Sequence, residues 1–250
     1  MTNRDRIIRI FFWLTIGTVF GALLSSFFLK GHYTENINND PLLDISIASN
    51  NEPRGRICLV IDDFGSSENY KEFLSLHENI IFAIIPNTKY SNEISKQTEI
   101  NNIETIVHMP MKTKSYPDSI YSEIILVPGM GIADIEKRLN LSFDDIPNAV
   151  GLNNHQGSIG TADFQLMKDL ARCLKNSGKY FLDSYTGSDS KAFTTMRQYG
   201  VKTQIRQVFL DNDAENPTHI NNQIDSLLRM SHYMEVAIGI GHIKPTTLNV

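Results

Sequence analysis

The 250-residue sequence predicts an α/β protein built on a parallel barrel. Apolar runs rich in β-branched and aromatic residues recur at 57–61, 80–85, 104–108, 149–153, 180–182, 204–210 and 236–240. Helix-like stretches separate most of them, at 67–76, 92–100, 132–140, 162–176, 190–199 and 219–233. Several runs also stop on carboxylate or imidazole residues, and in a barrel every strand end faces one mouth. Seven candidate strands fit a barrel of the TIM type or a close variant better than a three-layer sandwich, and a chain of this length can bury a substantial core.

The elements follow in order. Residues 1–9 carry Arg4, Arg6 and Arg9, and residues 10–29 then run without a charge until Lys30. That run is about the length a helix needs to span a bilayer, and it is apolar on all sides. Its exit, residues 25–30, lacks the small-x-small pattern of a cleaved signal peptide, so an uncleaved signal anchor is expected at 1–30. The arginines place its N-terminal side in the cytoplasm and the rest of the chain across the membrane. Residues 31–55 turn polar and read as an extended linker, after which a folded domain is expected over 56–250.

Composition excludes some functions. A net charge of -5 and a pI near 5.8, without a basic cluster in the body of the chain, argue against nucleic-acid binding. The two cysteines, Cys58 and Cys173, form neither a CxxC pair nor a zinc ribbon. Both read as small buried hydrophobes, and a bridge between them is not expected.

The strand ends carry the chemistry. The first ends on Asp62 and Asp63, the third on His108, the fourth on a stretch containing His155, the fifth on Asp183, the sixth on Asp211 and the last on His242. Three of the seven histidines thus fall at strand ends, whereas His32, His77, His219 and His232 fall in the linker or on helices. A carboxylate and imidazoles meeting at one mouth suit Zn²⁺ or another borderline divalent metal with an open position. Two adjacent aspartates allow one to bind metal while the other takes a proton from water, and a separate histidine can protonate a leaving group. Other features are weaker. The glycines of 151–157 and 128–131 do not make a phosphate loop, and Ser158 lacks the setting of a serine nucleophile. Residues 128–131 read as a flexible loop or a plain turn, and Arg206 as an ion-pair partner of Asp211 or Asp183 in preference to a group that orients a substrate carboxylate.

Taken together, VIDDFG (60–65), FAIIP (82–86), HMPM (108–111), GLNNHQGS (151–158), FLDS (181–184), RQVFLDN (206–212) and AIGIGH (237–242) resemble, in order, the divergent polysaccharide deacetylase family within the NodB-like carbohydrate esterases. The resemblance implies a distorted seven-stranded (β/α) barrel and metal-dependent removal of N-acetyl groups from a cell-envelope polysaccharide, a hydrolysis of a non-peptide carbon–nitrogen bond. It implies Asp63 as a metal ligand and Asp62 as the base. The family's paired metal histidines are replaced here by His108 with no second histidine after it, so His155 is expected to complete the set with Asp63, most simply around Zn²⁺. His242 corresponds to the last-strand general acid. The expected partners are a polysaccharide or peptidoglycan-type glycan and, through the N-terminal helix, the membrane. The expected place is the bacterial inner membrane, single-pass, with the domain on the periplasmic side. The alternative from another function class is a catalytically silent barrel that binds glycan or an envelope protein.

Overall fold

The computed structural model describes residues 55–76, 80–114, 121–213 and 216–250. The expected anchor at 1–30, and the linker up to residue 54, lie outside them. Among the described residues no helix is long and apolar enough to cross a membrane.

Eight strands are present: β1 (Arg56–Phe64), β2 (Ile80–Ile84), β3 (Thr105–Met111), β4 (Gly151–Gln156), β5 (Tyr180–Asp183), β6 (Thr203–Ile205), β7 (Val208–Phe209) and β8 (Val236–His242). The helices are α1 (Tyr70–Phe73), α2 (Ser91–Ile100), α3 (Ile132–Asp145), α4 (Phe164–Ser177), α5 (Ala192–Gln198), α6 (Pro217–Ser231) and α7 (Pro245–Leu248). Every strand pair is parallel, in the order β6-β5-β4-β3-β2-β1-β8-β7, and the sheet forms an α/β half-barrel.

The seven-strand expectation is corrected at one place. The run expected at 204–210 is not one strand; it divides into β6, which pairs with β5, and β7, which pairs with β8. The two edges of the sheet are therefore joined by Arg206 and Gln207. The Arg206 N–H donates to the Asp183 carbonyl on one side at 3.0 Å, and the Gln207 N–H to the Ile238 carbonyl on the other at 2.9 Å. The Gln207 side chain accepts from the Ile238 N–H at 2.6 Å and donates to the Ile205 carbonyl at 2.6 Å, so it spans the seam. One unbroken strand could not bond to both edges while they stand apart, and a polar pair with a bridging amide can.

Strand alternation sorts most of the core side chains into two clusters, and a third, smaller one joins Val208, Leu210, Leu227 and Ala237. Val60, Ala83, Ile106, Leu182, Ile238 and Ile240 form the inner cluster, and Ile61, Phe82, Ile84, Val107, Met109, Leu152 and Phe181 belong to the larger cluster that also takes in helix residues. Phe64 stacks on Phe82 with ring centroids 4.0 Å apart and meets Phe73 edge-on. Burial of each such ring contributes about 1.5–3 kcal/mol. In α4 the apolar stripe Leu166, Met167, Leu170, Ala171 and Leu174 is buried. Its start is capped by the Asp163 carboxylate, which accepts from the Leu166 N–H at 2.7 Å, and its end by Gly178 in the left-handed conformation. The loop at 128–131 leads into α3, whose first turn follows the extended Gly131. Cys58 and Cys173 are both free, and Cys173 is buried.

Candidate metal centre

The inner face of the half-barrel changes character along each strand. On β1 the inward series is Cys58, Val60, Asp62; on β3 it is Ile106, His108; on β8 it is Ile238, Ile240, His242. The register sets Asp62 level with His242 and His108 level with Asn153. Polar groups therefore collect at the C-terminal end of the same face whose lower part is apolar.

Regular alternation would send Asp62 and Asp63 to opposite faces. The β1–β2 register shifts between Ile61 and Phe64, and Asp63 has φ 69°. This bulge lets both carboxylates face the mouth, and aspartate is among the few residues that tolerate the left-handed region.

Asp63 Oδ1 lies 3.2 Å from His108 Nε2 and 3.0 Å from His155 Nδ1, and the two nitrogens are 3.1 Å apart. These residues form the cluster of three potential ligands found among the described residues. Asp63 Oδ1 is buried and accepts no well-directed hydrogen bond, although both imidazoles stand beside it. Three donor atoms at these separations match one face of a tetrahedron, since ligands ~2.0–2.1 Å from zinc at tetrahedral angles are separated by roughly 3.3 Å. The residues present fit a divalent cation.

The surrounding contacts orient each of these side chains. His108 Nδ1 meets Asn153 Oδ1 at 2.7 Å, and Asn153 Nδ2 donates to Asp62 Oδ1 at 2.8 Å. Asp62 is buried, with Oδ2 3.7 Å from His108 Nε2. His155 Nε2 approaches the Tyr121 hydroxyl at 3.4 Å. His242 Nδ1 pairs with Asp211 Oδ1 at 2.8 Å, and its Nε2 stands 4.0 Å from Asp63 Oδ2. Asp211 Oδ2 accepts from the His242 N–H at 2.8 Å and from the Thr247 hydroxyl at 2.7 Å.

These contacts shift the ionisations. Burial pushes the Asp62 carboxyl above the ordinary range, against the pull of His108, His242 and Asn153. Burial acts the same way on Asp63, but the two imidazoles outweigh it and hold that carboxyl below the ordinary range. For His108, burial opposes the charge and the two aspartates overcome it, so its pKa is pushed up to about 9. Burial, helped by the neighbouring His108 charge, keeps His155 below its ordinary value. For His242 burial also opposes the charge, but the Asp211 partner raises the net value, while Asp211 itself is lowered by that imidazole.

All five residues singled out from the sequence, Asp62, Asp63, His108, His155 and His242, meet at this mouth. Asp211 stands at a strand end in the sequence with no role assigned to it, and Asn153 is not singled out there. Their signal lies in the register, because Phe209 pairs with Ile240 and this continues to set Asp211 level with His242. Arg206 does not pair with Asp211 or Asp183: its guanidinium donates to the carbonyls of Ser184 at 2.7 Å and Tyr185 at 2.9 Å. Asp183 instead accepts from the Tyr185 N–H and the Ser190 hydroxyl, holding the loop after β5.

A family model described as divergent polysaccharide deacetylase matches residues 59–250. The chain belongs to that family. The match begins inside β1 and takes in Asp63, His108 and His155. The uncharacterized protein YibQ of Escherichia coli K12 is 31% identical over 197 residues, 78% of this chain and 61% of that protein. An uncharacterized protein of Haemophilus influenzae is 31% identical over 200 residues, 79% of this chain and 70% of that protein. The chain thus spans less than two thirds of the length of the E. coli relative. The crystal structure of an uncharacterized Agrobacterium tumefaciens protein superposes with a TM-score of 0.73 at 17% identity, over 81% of this chain and 82% of that one, which shows a shared fold.

Proposed function

We propose that this member of the divergent polysaccharide deacetylase family is a metal-dependent hydrolase that removes N-acetyl groups from a cell-envelope polysaccharide. The observation that carries the reading is the convergence of Asp63, His108 and His155 on one small triangle, with Asp62 and the His242–Asp211 pair beside it. Asp63, His108 and His155 would hold the cation, with Zn²⁺ favoured by the two nitrogens and one oxygen. When bound, a cation of this kind supplies Lewis acidity toward a carbonyl oxygen and makes water easier to deprotonate.

The chain's own groups do the rest. Asp62, raised in pKa by burial, takes the proton of the attacking water. His242 Nε2 faces the same mouth and delivers a proton to the departing amide nitrogen, so that the products are acetate and a free amine. Asp211 pairs with His242 Nδ1 and raises the pKa of the imidazole against its burial, which favours the acid form that donates the proton. A glycan substrate is supported by the family. Attachment to a bacterial inner membrane through residues 1–30, with the domain on the periplasmic side, is part of the proposal and rests on the arginines and the apolar run that follows them.

The test is acetate release from N-acetylated chitooligosaccharides and peptidoglycan fragments by the zinc-loaded full-length chain, with Asp62→Asn as the control. Release that disappears in the control is the expected result. Metal retention without release from either substrate overturns the reading and leaves the silent, glycan-binding barrel.

A further inference from the structure

Asn153 sits on β4 with no exposed surface, between the proposed base and a metal ligand. An ionised carboxylate only accepts hydrogen bonds, so the Asn153 amide nitrogen must face Asp62 Oδ1, as its 2.8 Å contact shows. The amide oxygen then faces His108 Nδ1 at 2.7 Å, and an amide oxygen also only accepts. His108 Nδ1 must therefore carry a hydrogen, which leaves Nε2 as the atom turned toward Asp63 Oδ1 and His155 Nδ1. One amide thus sets the rotamer of Asp62 and the tautomer of His108 together.

Resting on the deacetylase reading, we propose that Asn153 is a positioning residue that ties the general base to the metal centre, holding His108 Nε2 available for the cation and Asp62 in place beside it. Alanine, leucine and ionised aspartate cannot serve both ends. Alanine or leucine leaves Asp62 Oδ1 and His108 Nδ1 without these partners in a buried place. Aspartate can accept from His108 Nδ1, but when ionised it has no hydrogen to give Asp62.

The test titrates Zn²⁺ alone, in competition with a chelator, against the full-length parent chain, Asn153→Ala, Asn153→Asp and Asn148→Ala. Asn148 is a control because its amide binds Ser95, Thr98 and Thr105, in a network apart from the metal triangle. Zinc affinity is expected to fall about 10–100-fold in Asn153→Ala and to stay within about twofold of the parent in Asn148→Ala. Asn153→Asp is expected to recover most of the zinc affinity while acetate release stays low, which separates the two contacts and serves where Asn153→Ala fails to fold. Unchanged zinc affinity in Asn153→Ala, an equal loss in Asn148→Ala, or no recovery in a folded Asn153→Asp overturns the proposal. The two readings fail separately. A parent that binds zinc without releasing acetate, but loses zinc on Asn153→Ala, removes the deacetylase reading and keeps this one; an acetate-releasing parent whose zinc affinity ignores Asn153 does the reverse.

Discussion

The lower and upper halves of the half-barrel's inner face lie on the same strands, two residues apart, yet they are held together by different physics. Below, Val60, Ile106, Ile238 and Ile240 pack as an apolar cluster. Above, Asp62, His108 and His242 continue those same inward series, at a level where their polar atoms find one another. Apolar side chains tolerate many neighbours of similar volume, but a buried carboxylate or imidazole requires a partner at one distance and in one direction. The lower half is therefore robust in detail, and the upper half is exacting.

The largest test of that contrast is Asp63→Ala. Bound metal is expected to fall from about one per chain to none by elemental analysis, and acetate release to background, because one of the three proposed ligands is gone. Retained metal would remove Asp63 from the centre. His242→Ala comes next, with metal content unchanged and turnover lower by about 10²–10⁴-fold, the range for loss of a general acid. Ile240→Ala probes the lower half. It should lower stability by about 2–5 kcal/mol in chemical denaturation while the folded protein still binds metal. A loss of metal without a loss of stability would break the division between the halves.

Two smaller effects concern protons. Without metal, His108 keeps its second proton up to about pH 9, and that proton must leave before Nε2 can ligate. Zinc affinity should therefore rise about tenfold per pH unit from neutrality toward pH 9 and then level off, when measured by competition with a chelator. A flat profile would show that His108 is not a ligand. Asp211→Asn removes the partner that raises the His242 pKa, so the alkaline limb of the pH–rate profile should move to lower pH. An unmoved limb would assign that limb to another group.

The order of strands and helices was legible because hydrophobic periodicity is local, and the expected helices at 92–100 and 162–176 differ from α2 and α4 by only one or two residues at either end. The strand ends were read too short. The runs expected at 57–61, 104–108 and 236–240 extend in the structure to Phe64, Met111 and His242. Polar residues look like the end of a strand when their partners are unknown. Here they remain in the ladder because distant residues satisfy them. The division of 204–210 was equally hidden, since Arg206 and Gln207 interrupt an apolar run only through contacts made to strands elsewhere in the chain.

Residue types along the chain thus settled the layers, the parallel sheet and the list of groups able to bind metal or move protons. Alternation of apolar runs and a short roster of aspartates and histidines at their ends is information each segment carries alone. Tertiary structure decided which of those groups meet. It turned Asp63 inward through a bulge against β2, set Asn153 between Asp62 and His108 across the barrel, and brought Asp211 level with His242 where β7 joins β8. Hydrogen bonds and metal ligation depend on tenths of an ångström and on direction, and those are fixed only when strands far apart in the chain come into register.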